Sequence, residues 1–312
     1  MNENRPVICI VGPTACRKTA LSVELALACD GEVVSADAVA VYRGLNIGSA
    51  KPTESERKCV PHHLIDSVDI TDDGFTVSTF RVLARKAIDV ILERGNQPIV
   101  VGGSGLYVDS VFSDMRFSAP SDPVIRAAIE DDYDRDPNAV FEALRACDLV
   151  TAMRLHPNDK KRVVRALEVY RVTGKPFSQL NQDFEVAQHN DDTYHTIRVG
   201  LNTDRAILYD RINRRVDQMI ENGLQEEAFD LFRKGFTPIR YRAMQSIGYA
   251  QLYEAYLGNC TIEEAVETIK LDTRHFAKRQ ITWFKRNPDT VWFDPFRMPI
   301  PEIVNHITEM MK

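Results

Sequence analysis

The chain opens with Pro6-Val-Ile-Cys-Ile-Val11, an unbroken apolar run that stops at Gly12. A run this short without polar alternation reads as a strand buried on both faces, the usual state in a parallel sheet. From Lys18 to Cys29, Leu21, Leu25 and Ala28 recur at helical spacing. Glu32-Val-Val-Ser35 reads as a second strand. Phe80, Leu83, Ala87 and Ile91 mark one face of a helix from about Ser78 to Arg94. Pro98-Ile-Val-Val-Gly102 reads as a third strand, closed by a Gly-Gly turn into a helix near Leu106. Apolar strands alternating with helices predict an α/β protein, a parallel sheet flanked by helices.

The pattern changes near Ser113. From there to about Gln182 the chain shows helical periods without a strand. Ser121-Asp122-Pro123 opens one helix, Pro137 the next, and Pro157-Asn158-Asp159 caps a third, because Asp and Asn accept bonds from the first free amides of a helix and Pro suits its first turn. This predicts an all-helical lobe, residues 113–189, inserted into a core built from 1–112 and 190–312. Tyr194–Leu201 alternates like a returning strand. Thr203-Asp204 starts a series of helices to about Arg286, followed by Val291-Trp-Phe293 and a terminal helix.

Composition narrows the functional classes. The apolar fraction of 44% and charged fraction of 27% fit an ordinary globular chain, without an apolar run long enough to span a bilayer or the pattern of a secretory leader. Six cysteines lie scattered, which speaks against a zinc site or disulfide framework and for a reducing, cytoplasmic setting. The net charge of −6 does not favour wholesale nucleic-acid binding. Basic residues nevertheless crowd into Arg154–Lys175 and Lys270–Arg286, so a local cationic surface is expected.

The first strand leads into Gly12-Pro-Thr-Ala-Cys-Arg-Lys18-Thr19 and then a helix, the context of a phosphate-binding loop. Such a loop turns backbone N–H groups onto phosphate oxygens, extends a lysine to the outer phosphates and offers a hydroxyl to Mg2+. Gly12, Lys18 and Thr19 stand at the required spacing, but Arg17 replaces the second glycine. Either Arg17 accepts the backbone geometry and directs its guanidinium elsewhere or onto the anion, or the loop only connects strand to helix. Asp37 follows the second strand, where open α/β sheets bind ligands. Its carboxylate could take a proton from an attacking amine, or simply cap a turn.

Many blocks together resemble the bacterial tRNA dimethylallyltransferases: Val11-Gly-Pro-Thr-Ala15, Lys18-Thr-Ala-Leu21, Ser35-Ala-Asp37, Val41-Tyr-Arg-Gly-Leu45, Ile47-Gly-Ser-Ala-Lys-Pro52, Pro61-His-His-Leu-Ile-Asp66, Val101-Gly-Gly-Ser-Gly-Leu-Tyr107, His156-Pro-Asn-Asp159 with Arg162, Arg165-Ala-Leu-Glu168, Ser246-Ile-Gly-Tyr249 and Lys278-Arg-Gln-Ile-Thr-Trp283. The resemblance runs from about residue 6 to 294. It implies transfer of a dimethylallyl group from dimethylallyl diphosphate to N6 of adenosine 37 in tRNA, by a cytoplasmic monomer with Mg2+ as cofactor. It implies an ATP-like, nucleotide-binding type of loop, Gly12, Pro13, Thr14, Ala15, Cys16, Arg17, Lys18 and Thr19, that holds the prenyl diphosphate. Asp37, Lys18, Thr19 and Arg215 are then the catalytic residues, with Thr19 on the metal. The tRNA contacts implied are Asp37, Ala38, Val39, Ala40, Ser104, Arg126, Lys161, Arg162, Arg165, Gln245, Ser246, Gly248, Tyr249, Lys278, Arg279 and Gln280. His275, Arg279 and Arg286 are expected to form a basic stripe opposite apolar Ala277, Ile281 and Phe284; His62 and His63 are read as structural.

The family usually has a serine where Ala38 stands and often a polar residue at Ala40. With Arg17, these departures leave a second reading, a weakened or inactive tRNA-binding paralogue. A P-loop kinase or NTPase would need a Walker B carboxylate and a nucleotide lid, neither of which the sequence displays.

Overall fold

A computed structural model describes residues 5–72, 74–113, 115, 121–180 and 193–312. Six strands form one sheet: β1 Val7–Val11, β2 Gly31–Ser35, β3 His62–His63, β4 Gln97–Gly102, β5 Thr196–Leu201 and β6 Val291–Phe293. Their order is β3-β2-β4-β1-β5-β6, and every pairing is parallel. Alternate residues of the strands face opposite sides. Val7, Cys9, Val11, Val34 and Val100 pack with Phe80, Ala84, Ile88 and Ile91 of the helix Val77–Glu93. Ile8, Ile10, Val33 and Ile99 pack instead with Leu21 and Leu25 of the helix Lys18–Ala28 and with Ile303 and Ile307 of the helix Ile300–Met310. Both faces are thus covered, which is why the strands read as solid apolar runs.

The chain divides into two compact units, Met1–Phe112 with Asp192–Lys312, and Ser113–Asp191. The expected boundary near 190 lies outside the described residues. Within the second unit, Asp122 caps Pro123–Arg135, Asp136 caps Pro137–Cys147 and Asp159 caps Lys160–Thr173. A helix that the periodicity did not show, Leu149–Arg154, is capped by Asp148, whose carboxylate also accepts the amide and hydroxyl of Ser178. Ile129, Leu144, Val163 and Leu167 form this unit's own core. No helix among the described residues is long and apolar enough to cross a membrane.

One other element escaped the sequence reading. The short strand β3 pairs with β2, and His63 Nε2 lies 2.6 Å from Glu32 Oε2, which gives His63 a structural place. The helix Ile262–Phe284 ends before Arg286, so Arg286 does not extend the expected basic stripe; its guanidinium lies 4.8 Å from the Trp283 ring centroid. His275 and Arg279 are exposed, while Ala277 and Phe284 are buried as expected.

Candidate active site

The phosphate loop leaves β1 pressed against its neighbour. Gly12 has φ 150°, and a Cβ there would come within 2.5 Å of Leu201 O. Ala15 and Arg17 adopt the left-handed region, with φ 63° and 62°. That conformation costs a non-glycine residue about 1–2 kcal/mol. Arg17 is compensated in part: its guanidinium stacks 4.7 Å from the centroid of Phe296 and Nη1 donates to Pro295 O at 3.3 Å. An exposed stack of this type is worth about 0.5–1 kcal/mol. The Arg17 side chain is therefore engaged outside the loop.

Lys18 folds back over the loop, with Nζ donating to Pro13 O at 2.8 Å. Its pKa is lowered to about 8, chiefly by burial with Arg215 acting in the same direction, while Cys16 and Asp37 act the other way. Arg215, on the helix Arg205–Glu221, donates from Nη1 to Thr14 Oγ1 at 3.2 Å. Burial lowers its pKa too, against the opposing charges of Asp37 and Glu56. Arg211, one turn earlier, donates to Ala15 O at 3.1 Å and stacks 4.6 Å from the Phe296 centroid. Lys18 and Arg215 thus converge on the loop, and Asp37 lies within electrostatic reach of both.

Asp37 closes the turn after β2. Its Oδ1 accepts the amides of Val39 at 2.8 Å and Ala40 at 3.0 Å, so the turn-capping role is present. Oδ2 accepts no hydrogen bond from a described residue, which leaves one carboxylate oxygen available for a proton. The Ala38 amide donates to Ser104 Oγ at 3.0 Å. Ala38 and Ala40 therefore still build the turn through their backbones. Tyr107 lies close enough to Asp37 for that carboxylate, after burial and Tyr42, to help push its phenol up to about 12. Thr19 is half-buried at the start of its helix, and its hydroxyl makes no hydrogen bond to a described residue.

Several residues expected at the RNA are placed differently. Tyr249 is fully buried; its hydroxyl donates to Glu227 Oε1 at 2.5 Å and its ring fills the space beside Gly48. Gly248 is buried, with its amide donating to Gln251 Oε1 at 2.9 Å. Gln280 is buried and both ends of its carboxamide are used internally, by Thr14 N at 2.9 Å and Gly103 O at 2.8 Å. These three are framework residues because packing and internal bonds consume their surfaces. Lys278, Arg279 and Gln245 remain exposed, and Ser246 is half-buried. In the second unit, Lys161 and Arg162 are exposed. Arg126 and Arg165 both bind the fully buried Glu168 at 2.7 Å. Sequence reasoning missed Glu227, whose carboxylate accepts the amides of Asn46, Ile47 and Gly48 at 3.0–3.4 Å. Nothing local marks such a helix glutamate, because its partners lie about 180 positions away.

A strand, a phosphate loop and a helix at the carboxyl edge of a covered parallel sheet define a P-loop protein of the α/β class. The sequence model described as IPP transferase matches residues 40–287. A tRNA dimethylallyltransferase of Desulfitobacterium hafniense (strain Y51) is 43% identical, with 97% of this chain and 96% of that protein aligned. One from Geobacillus thermodenitrificans (strain NG80-2) is 41% identical, over 98% and 97%. The crystal structure of the tRNA isopentenylpyrophosphate transferase of Bacillus halodurans superposes with TM-score 0.72 at 40% identity, covering 98% of this chain and 97% of that one. A eukaryotic dimethylallyltransferase solved while acting on tRNA gives TM-score 0.78 at 29% identity, over 97% of this chain and 77% of that one. The chain belongs to the IPP transferase family.

Proposed function

We propose that this chain transfers a dimethylallyl group from dimethylallyl diphosphate to N6 of adenosine 37 in tRNA, acting in the cytoplasm. The observation that carries the reading is the meeting of Lys18 and Arg215 at one phosphate loop, with Asp37 within reach of both charges. The curated relatives bear the name of this activity.

The adenine amine attacks the allylic carbon, the carbon–oxygen bond breaks, and its electron pair stays on the diphosphate. Negative charge therefore grows on the leaving group, and cations fixed beforehand favour that transition state over the bound substrate. Lys18 and Arg215 supply them. Asp37 Oδ2 accepts the N6 proton as the nitrogen becomes positive, while Oδ1 keeps the turn in place. The Thr19 hydroxyl is one neutral oxygen, and no cluster of three or more His, Cys, Asp or Glu suited to a metal exists among the described residues. Thr19 would offer its hydroxyl to a Mg2+ ion, which would supply further charge neutralisation for the leaving group. Extruding the base costs a few kcal/mol, which contacts to the RNA backbone from exposed Lys161, Arg162, Lys278 and Arg279 would offset.

The names of the curated relatives favour transfer over an inactive paralogue, and the Arg17 side chain is engaged by Pro295 and Phe296. Purified chain incubated with dimethylallyl diphosphate, Mg2+ and unmodified tRNA should yield prenylated adenosine in the digested tRNA by mass spectrometry. Asp37→Asn should slow single-turnover transfer by about 10²–10⁴-fold. An inactive wild type, or an Asp37→Asn variant at full rate, would overturn this reading.

A further inference from the structure

Two halves of the reaction centre come from different loops: the phosphate loop after β1, and the Asp37 turn after β2. A continuous set of hydrogen bonds joins them through one side chain. Arg215 Nη1 donates to Thr14 Oγ1 at 3.2 Å, and the Thr14 amide donates to Gln280 Oε1 at 2.9 Å. Gln280 Nε2 donates to Gly103 O at 2.8 Å. The next residue, Ser104, accepts the Ala38 amide at 3.0 Å, directly beside Asp37. Both partners of the Gln280 carboxamide are backbone groups, one only a donor and the other only an acceptor, so its orientation is fixed. A Cβ on Gly103 would approach Nε2 to 2.3 Å. The contact thus requires glycine at 103 and an amide of this length at 280.

We propose that Gln280 is a positioning residue that sets the separation between the leaving diphosphate and the proton-accepting Asp37. This rests on the transfer reading given above. Both ends of the carboxamide are used by backbone groups; it holds the loop that grips one substrate against the turn that receives the other. A misplacement of about 1 Å between reacting groups can cost about a hundredfold in rate, while each loop keeps its own ligand contacts. The signature is therefore a loss in kcat with substrate affinities retained.

Gln280→Met keeps the side-chain volume and removes both bonds. It should lower the single-turnover rate about 30–100-fold, with KM for dimethylallyl diphosphate and Kd for tRNA within threefold of wild type. Ser104→Ala cuts the next link without disturbing packing; it should lower the rate by a smaller factor. The double variant should be little slower than Gln280→Met alone, since both break one strap. Ser104→Ala carries the test by the same split if Gln280→Met fails to fold. Weaker tRNA binding with an unchanged rate would make Gln280 part of the RNA-binding surface and sink the proposal, as would variants within threefold of wild type throughout. An inactive wild type removes the transfer reading and this inference together; an active wild type with unaffected variants removes this inference alone.

Discussion

Arginines around the phosphate loop and arginines in the unit Ser113–Asp191 live in opposite electrostatic settings. Near the loop, Arg17, Lys18, Arg211 and Arg215 are engaged by backbone carbonyls, the Thr14 hydroxyl and the Phe296 ring. Among the described residues none of the four forms an ion pair. In the helical unit, Arg126 and Arg165 share Glu168, Arg162 approaches Asp159 at 3.4 Å, Arg171 approaches Asp132 at 3.8 Å, and Lys160 meets Asp134 at 2.5 Å. Like charges gathered without carboxylate partners repel one another: beyond the larger effect of burial, Arg17 lowers the pKa of Arg211, and Arg215 that of Lys18. An incoming anion removes that repulsion. The helical unit's cations are already partly answered from within, so a count of basic residues along Arg154–Lys175 overstates the charge left for RNA.

The largest effect that tests this contrast is expected at Lys18. Lys18→Met should lower kcat/KM for dimethylallyl diphosphate by about 10²–10³-fold, the cost of removing one preorganised charge donor. The wild type should also lose donor affinity as pH rises through about 8, the depressed pKa of Lys18. Bound diphosphate favours the charged ammonium and raises that pKa again, so binding above pH 8 takes up a proton. Calorimetry in buffers of different ionisation enthalpy measures the uptake, which the Lys18→Met variant should not show. Donor binding that is flat from pH 7 to 9 would contradict the assigned role.

Glu168 tests the other side. Burial alone would raise its pKa, but hydrogen bonds from Arg126, Arg165 and Ser121 with the charge of Arg165 outweigh it and bring the carboxyl down to about 2. Glu168→Gln leaves two guanidinium groups without their shared anion and should destabilise the helical unit by about 1.5–3 kcal/mol, read as faster amide exchange in Lys160–Thr173. Because the folded pKa is depressed, the stabilisation is present above the ordinary pKa of about 4.3 and is lost as pH falls towards 2. The Gln variant should lack that acid-dependent loss. Affinity for the prenyl donor should not change, since Lys18 and Arg215 belong to the other unit.

What the sequence could and could not disclose follows the same division between local and distant causes. β1, β2 and β4 were legible because burial on both faces writes itself as a continuous apolar run. Asp122 and Asp159 were legible as caps because the bond each accepts lies three residues ahead, beside a proline or asparagine, and Pro137 was legible as a helix start. Asp148 lacked that neighbouring proline, and β3 is too short to alternate. The loop residues Gly12, Lys18 and Thr19 were found by spacing. Gln280 was assigned to the RNA with Lys278 and Arg279, although helix geometry turns it inward to a partner 177 residues away. Its role, like that of Glu227, depends on which distant backbone folds beside it, and no local pattern carries that information.

The smallest effect concerns Arg17, the residue that made the loop look defective. Arg17→Gly relieves a left-handed φ of 62°, worth about 1–2 kcal/mol. It also removes the Phe296 stack, about 0.5–1 kcal/mol, and the bond to Pro295 O, about 1 kcal/mol. Glycine adds freedom to the unfolded chain as well, at a cost of about 0.4–1 kcal/mol. The losses outweigh the gain by about 1 kcal/mol, so thermal stability should fall by only a few degrees. With the guanidinium engaged outside the loop, KM for dimethylallyl diphosphate and the transfer rate should stay within threefold of wild type. A variant binding the donor more than tenfold tighter would show that Arg17 swings into the anion's space. The contrast would then break at its own centre, with one of the four loop cations competing with the diphosphate for its site.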